Sequence, residues 1–207
     1  MRDFVRSEEE LTGILAHPAI ARLRSSLTAR AAVEAEEEAG VRRAAVALIF
    51  RAGVDGSPEL LFIKRAEYPG DPWSGQIAFP GGREEAGDAS LEETAARETR
   101  EETGIDLRRE GMVIGVLDDL RPMRVRLPAI VVRPYVAVVH RHEQLDLSPE
   151  VALAFWIPFG DLAQKESWQN DTVFARGVQI NARVFRHDDH VIWGMTERIL
   201  AQLLEMG

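Results

Sequence analysis

The feature that most constrains this chain is a pair of glycines followed by an acidic segment with helical character. Gly81 and Gly82 come directly after Pro80, and the acidic segment ends at a further glycine, Gly104. Glycine permits backbone conformations that other residues avoid, and it commonly stands just past the end of a helix. The sequence therefore predicts a tight turn at the glycine pair and a helix that ends at Gly104.

The predicted helix carries three glutamates, Glu98, Glu101 and Glu102. At about 100° per residue, Glu102 lies about 40° to one side of Glu98 and Glu101 about 60° to the other, so the three carboxylates share one stripe. Like charges at this spacing repel and destabilise a bare helix. Clustered carboxylate oxygens are the ligands that Mg²⁺ and Mn²⁺ prefer, whereas an acidic pair alone is typical of a solvated helix face. The stripe therefore indicates a divalent-cation site.

The remainder of the helix has its own signals. Ser90 is suited to the N-cap position, and Glu93 stands where the acid of a capping box is expected. Ala96, Thr99 and Thr103 fall on the side opposite the glutamates and are small enough to pack closely on a sheet. The sequence therefore predicts a helix that begins after Ser90 and packs through this face.

Gly-Gly followed at a set distance by Arg-Glu-x-x-Glu-Glu-x-Gly fixes seven residue identities between Gly81 and Gly104. A chance match is on the order of one in 10⁸ per start position. Here the chain resembles the Nudix hydrolase superfamily, whose signature is Gly-x5-Glu-x7-Arg-Glu-U-x-Glu-Glu-x-Gly-U, with U a bulky apolar residue. Asp88 stands at the first acidic position and is one residue further from Arg97 than in the signature, and Thr99 replaces an aliphatic residue.

Within that superfamily the chain resembles the coenzyme A diphosphatases. The shared residues are Glu85, Asp88, Thr94, Ala95, Arg97 and Glu98. Upstream, this subgroup usually reads Arg-Ser-x-x-Leu-Arg-x-His-x-Gly-Gln before Phe-Pro-Gly-Gly. Gly75-Gln76 and Phe79–Gly82 match that pattern, whereas Arg65–Trp73 does not follow it and is one residue longer.

The resemblance implies an α/β fold of the Nudix type, an α/β/α sandwich with a mixed β-sheet. It also implies that the Gly82 carbonyl, Glu98, Glu101 and Glu102 bind Mg²⁺ or Mn²⁺. Glu98, Glu101 and Arg97 are then the catalytic residues, with Arg97 holding a carboxylate in place. One glutamate near the metal, or one from a loop, takes a proton from the attacking water, and the sequence does not say which.

Candidate substrate-binding residues lie near this motif. Arg65 and Arg83 are placed to contact phosphates. Trp73 either forms part of the substrate wall or is a core tryptophan. Weaker candidates for phosphate binding are Arg121, Arg124 and Arg126, and a weaker candidate for metal binding is Glu150.

The implied activity is metal-dependent hydrolysis of a diphosphate linkage in a nucleoside diphosphate derivative. Coenzyme A or a coenzyme A derivative is the first substrate, giving 3′,5′-ADP and 4′-phosphopantetheine. ADP-ribose and dinucleoside polyphosphates remain alternatives because Arg65–Trp73 departs from the subgroup pattern. A non-catalytic Nudix-fold binding module is disfavoured because all three glutamates are present. A pyrophosphate-substrate isomerase is disfavoured because its chemistry would want a cysteine and the chain has none.

The composition limits which binding partners and which cellular compartment we expect for this protein. A net charge of −9 and a pI of about 5.1 argue against a nucleic-acid partner, although a bound cation can reverse the local field for a small phosphate-bearing substrate. The longest apolar stretches, Ala44–Phe50 and Ala129–Val132, are too short to span a bilayer. Residues 1–15 contain acids where a signal peptide needs an apolar run, and cysteine is absent. We therefore expect a cytoplasmic protein without a membrane partner.

At 207 residues the chain is long enough for one domain with a sizeable core. We expect residues 1–40 to form an N-terminal helical extension and residues 41–207 to form the Nudix hydrolase domain. Leucine and isoleucine at helical spacing predict helix from Glu8 to about Glu38, broken or restarted at Pro18. This segment either packs against a second copy in a homodimer or covers its own sheet.

Alternation and β-branched content predict the strands of the second region. The predicted strands are Val46–Phe50, Glu59–Lys64, Gln76–Phe79, Met112–Leu117, Ile130–Val139, Phe155–Ile157, Val173–Arg176, Gln179–Phe185 and His190–Trp193. Two further helices are predicted at Phe159–Gln164 and Thr196–Glu205.

Overall fold

The computed structural model describes residues 2–36, 38–70, 73–122, 129–140, 144–175 and 178–207. Several residues singled out above lie outside these ranges: Asp71 and Pro72 of the loop before the glycine pair, the arginines at 124 and 126, and Arg176.

A mixed sheet of seven strands forms the centre of the fold. Its strands are β1 (Arg42–Ala52), β2 (Pro58–Arg65), β3 (Ile77–Ala78), β4 (Gly81–Arg83), β5 (Gly111–Val116), β6 (Ile130–Val139) and β7 (Val151–Pro158). The order is β3-β2-β1-β6-β5, with β4 added beside β1 and β7 beside β2. β1 and β6 are parallel, and the other pairs are antiparallel.

β1 and β2, which contain the predicted strands Val46–Phe50 and Glu59–Lys64, form an antiparallel hairpin. Phe50 lies opposite Leu60, and the connecting turn is closed by Ser57, whose N–H donates to Asp55 Oδ1 at 2.9 Å. β1 and β6 are covered on both faces, so their sequences are nearly continuous runs of apolar residues.

Helices cover both faces of this sheet. They are α1 (Arg2–Ala16), α2 (Pro18–Thr28), α3 (Leu91–Thr103), α4 (Leu107–Glu110), α5 (Phe159–Leu162) and α6 (Gly194–Leu204), with a 3-10 turn at Lys165–Ser167. One core contains Leu23 of α2, Phe50 of β1 and Leu200 of α6, and the other contains Ala95 of α3 and Ile49 of β1. Neighbouring side chains of a strand point to opposite faces, so α3 lies opposite α2 and α6. The predicted α/β/α sandwich with a mixed sheet is confirmed.

The N-terminal helices cover the chain's own sheet. Ile14 of α1 and Ile20 of α2 are buried in the core that contains Phe50. Pro18 occupies the first turn of α2, and His17 Nδ1 accepts from the N–H of Ala19 at 3.3 Å. The expected restart at Pro18 is therefore present. The homodimer and the domain boundary after residue 40 stay predictions.

The predicted extent of the N-terminal helix is wrong, because α2 ends at Thr28 rather than near Glu38. Beyond it the backbone is irregular and bonds to carboxylates instead of to helical carbonyls. Val33 N–H donates to Asp118 Oδ1 at 2.7 Å, and Ala35 N–H donates to an oxygen of the next residue, Asp119, at 2.9 Å. These distant partners cannot be recognised from local spacing.

A second, three-stranded antiparallel sheet was not distinguished in the sequence. It consists of β8 (Trp168–Ala175), β9 (Val178–His187) and β10 (His190–Ile192). β10 meets the first sheet where the His190 ring stacks on Phe155 of β7, with 4.4 Å between centroids. Within the described ranges, every helix is too short or too polar to cross a membrane.

Candidate active site

Helix α3 is capped at both ends. Ser90 Oγ accepts from the N–H of Glu93 at 3.2 Å, as predicted, and Gly104 adopts the left-handed conformation with φ 79°. The Glu93 side chain reaches back to the N–H of Ala89 at 2.7 Å, one residue before the N-cap. The helix therefore begins and ends where the sequence places it, with a shifted form of the capping box.

The glycine pair belongs to a strand, so the predicted tight turn is wrong. Gly81 lies opposite Val46, and Gly82 lies opposite Ala45, in the pairing of β4 with β1. A Cβ atom on Gly81 would lie 2.2 Å from the Ala45 carbonyl oxygen, and the φ of Gly81 is 150°. Glycine is required at 81 because the two backbones approach too closely for a side chain.

Gly82 brings the backbone of β4 against the acidic helix. A Cβ atom at this position would lie 2.3 Å from Cδ of Glu98 and 2.4 Å from its Oε1. Two of the four residues predicted to bind a cation are therefore in direct contact. The contact depends on the missing side chain of Gly82.

The three glutamates of the stripe differ in their exposure to water. The Glu101 side chain is 57% exposed, that of Glu98 is 18% exposed, and Glu102 is only 4% exposed. The stripe therefore runs from solvent into the core. At the buried end of the stripe, the carboxylate of Glu102 is shielded from water.

Burial raises the pKa of Glu102 to about 7. One of its oxygens accepts from the Gly81 N–H at 2.9 Å, which favours the charged form, as does the nearby charge of Arg65. The charges of Glu98 and Glu150 act in the opposite sense. Burial likewise raises the pKa of Glu98, against the effect of Arg97.

Arg97 links the loop after β4 to the glutamates of α3. Its guanidinium donates to both Asp88 oxygens at 3.0 Å, to Glu98 Oε1 at 2.9 Å and to Glu101 Oε2 at 3.1 Å. A further bond goes to the Arg83 carbonyl at 3.0 Å. Arg97 engages one oxygen each of Glu98 and Glu101, so the second oxygen of each can act as a ligand. This geometry suits a residue that orients carboxylates.

Asp88 is the dominant partner of Arg97. Its side chain is 6% exposed, and Oδ2 also accepts from the Thr94 hydroxyl at 2.9 Å. The guanidinium holds the pKa of Asp88 well below its ordinary value. Glu85, another acid of this loop, is exposed and stands 3.9 Å from Arg97. The extra residue between Asp88 and Arg97 therefore does not prevent the pair from forming.

Two further residues lie beside Glu102. Arg65 ends β2, and its charge lowers the pKa of Glu102. Glu150 precedes β7, and its charge raises the pKa of both Glu98 and Glu102. Its carbonyl accepts from the Ala66 N–H at 2.8 Å. The structure thus brings Glu150 near the stripe, although in the sequence it is only an acid upstream of the predicted strand Phe155–Ile157.

The other substrate-binding candidates are less closely associated with the stripe. Trp73 is half-buried in the loop between β2 and β3. Arg83 is exposed and provides its carbonyl to Arg97. Arg121 pairs with Glu38 at 2.7 Å and donates to the Glu36 carbonyl at 2.9 Å, which ties it to the segment before β1. The roles of Trp73 and Arg83 stay predictions.

The donor set fits a hard divalent cation in kind, because Glu98, Glu101, Glu102 and the Gly82 carbonyl supply only oxygen. In the part of the chain that the structure describes, no three acidic or histidine side chains converge into a ready-made ion site. One oxygen each of Glu98 and Glu101 is bonded to Arg97, and one oxygen of Glu102 is bonded to the Gly81 N–H. Binding a cation would therefore require the side chains to adjust.

The family model for the NUDIX domain matches residues 40–177. The chain belongs to the Nudix family. It is 34% identical to the human mitochondrial coenzyme A diphosphatase NUDT8 over 167 residues, which cover 78% of this chain and 68% of that protein. The mouse NUDT8 protein is 33% identical over 168 residues, covering 79% and 77%. An uncharacterized Nudix hydrolase, NudL of Photorhabdus laumondii, is 32% identical over 133 residues, covering 64% and 68%.

Solved structures support the fold. A MutT/nudix family protein from Enterococcus faecalis superposes with a TM-score of 0.54 at 18% identity, covering 94% of this chain and 72% of that one. The family prediction is confirmed, and the chain is a Nudix hydrolase. Nudix hydrolases generally use divalent metal ions, in keeping with the oxygen donors gathered along α3.

Proposed function

We propose that the chain is a Mg²⁺- or Mn²⁺-dependent diphosphatase that cleaves coenzyme A or a coenzyme A derivative into 3′,5′-ADP and 4′-phosphopantetheine. The observation that carries the hydrolytic part is the contact of Gly82 with Glu98, beside Glu101 and Glu102 on one helix stripe. These residues offer oxygen ligands of the kind that hold cations against a diphosphate.

In this proposal Gly82, Glu98, Glu101 and Glu102 hold the cation. When bound, the cation neutralises charge on the diphosphate and lowers the pKa of a water molecule. Arg97 orients Glu98 and Glu101 through its bonds to one oxygen of each.

Proton transfer is assigned to the same stripe. Of the two predicted catalytic glutamates, Glu98 is assigned as the proton acceptor, because its side chain is less exposed than that of Glu101 and it touches Gly82. The positively charged guanidinium of Arg65, whose charge also acts on Glu102, binds a phosphate oxygen of the substrate in this proposal. Arg83 and Trp73 complete the proposed substrate-binding set.

The coenzyme A assignment rests on sequence similarity to proteins named as coenzyme A diphosphatases. It is also supported by the residues Thr94, Ala95, Arg97 and Glu98, which follow the form of that subgroup. The region Arg65–Trp73 departs from the subgroup pattern, so ADP-ribose and dinucleoside polyphosphates are the alternatives.

A substrate panel tests the proposal. Coenzyme A, ADP-ribose and a dinucleoside polyphosphate would be incubated with Mg²⁺, with Mn²⁺ and with a chelator, and products would be identified by mass. Using ¹⁸O-labelled water shows which phosphorus atom is attacked. We expect hydrolysis only with a cation, and coenzyme A as the most efficiently cleaved of the three. Tenfold better cleavage of another substrate would refute the coenzyme A assignment.

Matched variants test the site itself. Glu98→Gln and Glu101→Gln should each lose most activity, because each removes a ligand charge. Glu85→Gln is the control, because Glu85 is exposed and 3.9 Å from Arg97. Cation binding by calorimetry should weaken in the first two variants and not in the third. Binding of substrate by the wild type with no turnover under any cation would instead identify a binding module.

A further inference from the structure

Tyr68 lies in the loop between β2 and β3, outside the Nudix motif. Its side chain is 49% exposed, yet its hydroxyl donates to the Pro149 carbonyl at 3.2 Å. Its N–H donates to Ser74 Oγ, on the returning arm of the same loop, at 2.9 Å. A half-exposed tyrosine that is bonded at both ends spans two segments distant in sequence.

The segment that Tyr68 reaches is attached to the acidic helix. The N–H of Ser148 donates to the carbonyl of Glu102 at 3.1 Å, and that of Asp146 donates to the carbonyl of Thr103 at 3.0 Å. Pro149 therefore lies between a residue bonded to Glu102 and the acid Glu150. The tyrosine hydroxyl therefore bonds to a segment that is attached to the C-terminal end of α3.

Two of the predicted substrate-binding residues lie in this loop or directly before it. Arg65 precedes it, and the Arg65 N–H donates to the Gln76 carbonyl at 3.0 Å, which closes the base of the loop. Trp73 lies on the returning arm, next to the serine that accepts from Tyr68. The Ala66 N–H bond to Glu150 holds the first residue of the loop, and Tyr68 adds a second attachment further out.

We propose that Tyr68 is a positioning residue for substrate binding. Its hydroxyl holds the described parts of the loop, residues 66–70 and 73–76, against the segment of residues 146–150, and this fixes the position of Trp73 relative to that segment. The inference rests on the proposed diphosphatase function for its kinetic test. The inference does not depend on which diphosphate is the substrate, because the Tyr68 bond is present in the protein without substrate.

Tyr68→Phe removes the hydroxyl and keeps the ring. Loss of one neutral hydrogen bond changes the equilibrium constant between the held and the released loop by about 2- to 10-fold. We expect KM for the best substrate of the panel to rise by at most that factor and kcat to stay within about twofold, because ground and transition states lose the same contact. Tyr135→Phe is the matched control, since it makes the same chemical change in the other tyrosine of the chain, on β6.

A second measurement does not depend on activity. Amide hydrogen exchange should be faster in Tyr68→Phe at Ala66 and Tyr68, whose N–H groups bond to Glu150 and Ser74, and unchanged in Tyr135→Phe at the same sites. Unchanged exchange together with unchanged KM would overturn the inference. A fall in kcat at constant KM would also overturn it, because the hydroxyl would then act in the chemical step. If the wild type cleaves no diphosphate, the proposed function fails, and exchange alone decides whether the hydroxyl holds the loop.

Discussion

Arg97 and Asp88 face each other through two contacts of equal length, Nε to Oδ1 and Nη2 to Oδ2, each 3.0 Å. The pair joins the loop after β4 to α3 across a spacing that is one residue longer than the family signature. Because Arg97 also binds Glu98 and Glu101, Asp88 indirectly sets the position of both carboxylates.

We predict that Asp88→Asn lowers both activity and stability. Asparagine cannot accept two charge-assisted bonds from Arg97, and the loss should cost about 1–3 kcal/mol in the free energy of unfolding at neutral pH. Asp88 has a lowered pKa in the folded state, so its stabilisation is present above the ordinary pKa of 3.8 and is lost as the pH falls. Urea unfolding at neutral and acid pH should show the variant's deficit shrinking in acid. Glu85→Gln, with its exposed side chain, should show little deficit, and equal losses in the two variants would contradict the prediction.

The sequence predicts α3 well because its signals are local. Ser90 and Gly104 mark its ends, and the spacing of Glu98 and Glu102 fixes their common stripe whatever the helix packs against. The sequence does not predict that Glu102 is buried while Glu101 is solvated, because that difference depends on where the sheet lies.

The parts that sequence reasoning misses depend on partners distant along the chain. Glycine at 81 resembles a turn signal, but β1 lies alongside and makes it a strand residue. The segment around Val33 has helical composition, but the carboxylate of Asp118 bonds its backbone instead. Tyr68 has no sequence signal, because its significance lies in a bond to Pro149.

Glu102→Gln should stabilise the metal-free protein at alkaline pH and abolish most hydrolysis. The ordinary pKa of 4.5 is raised to about 7 in the folded state, so the wild type loses stability as the pH rises between these values. Removing the charge should recover up to about 3 kcal/mol at about pH 8 and nothing below the ordinary pKa. Thermal melts across pH provide the measurement. Glu101→Gln is the control and should give a smaller gain because Glu101 is exposed. A pH-independent gain would show that another cause is at work.

Alanine at each glycine of the pair should have a different effect. In Gly81→Ala the new Cβ meets backbone atoms of Ala45 and Val46, and φ is unfavourable, so we expect a large fall in melting temperature. In Gly82→Ala the three atoms nearest to the new Cβ all belong to the carboxylate at the flexible end of Glu98. That variant should stay folded, lose cation affinity measured by calorimetry, and lose most activity. Wild-type cation affinity in folded Gly82→Ala would remove this contact from the site.

Thr99→Val should stabilise the protein without affecting hydrolysis. Thr99 is fully buried, and among the described residues its hydroxyl has no hydrogen-bond partner. Valine keeps the shape and removes the unsatisfied group, which should add about 1 kcal/mol to the free energy of unfolding. Thr103→Val is the matched control on the same helix. The Thr103 hydroxyl donates to the Thr99 carbonyl at 2.6 Å, so this variant should lose stability. Urea titrations of the two variants would settle the comparison, and a loss in both would show that the Thr99 hydroxyl is satisfied.

Trp73→Ala should raise KM and leave kcat nearly unchanged. The ring is half-buried and stands next to Ser74, which accepts from the Tyr68 N–H, so we expect its flat face to be available to an adenine or a pantetheine arm. Loss of a stacked ring should weaken binding by roughly 1–3 kcal/mol, about 5–150-fold in KM. If Trp73 is instead a core residue, its replacement by alanine should lower the free energy of unfolding by about 3–5 kcal/mol.

Trp168→Ala is the matched control, because Trp168 Nε1 donates to the Leu162 carbonyl at 2.9 Å and its ring packs on Phe185. That variant should melt earlier with an unchanged KM. If Trp73→Ala behaves like Trp168→Ala, Trp73 is a structural residue, and substrate specificity must then come from Arg65 and Arg83.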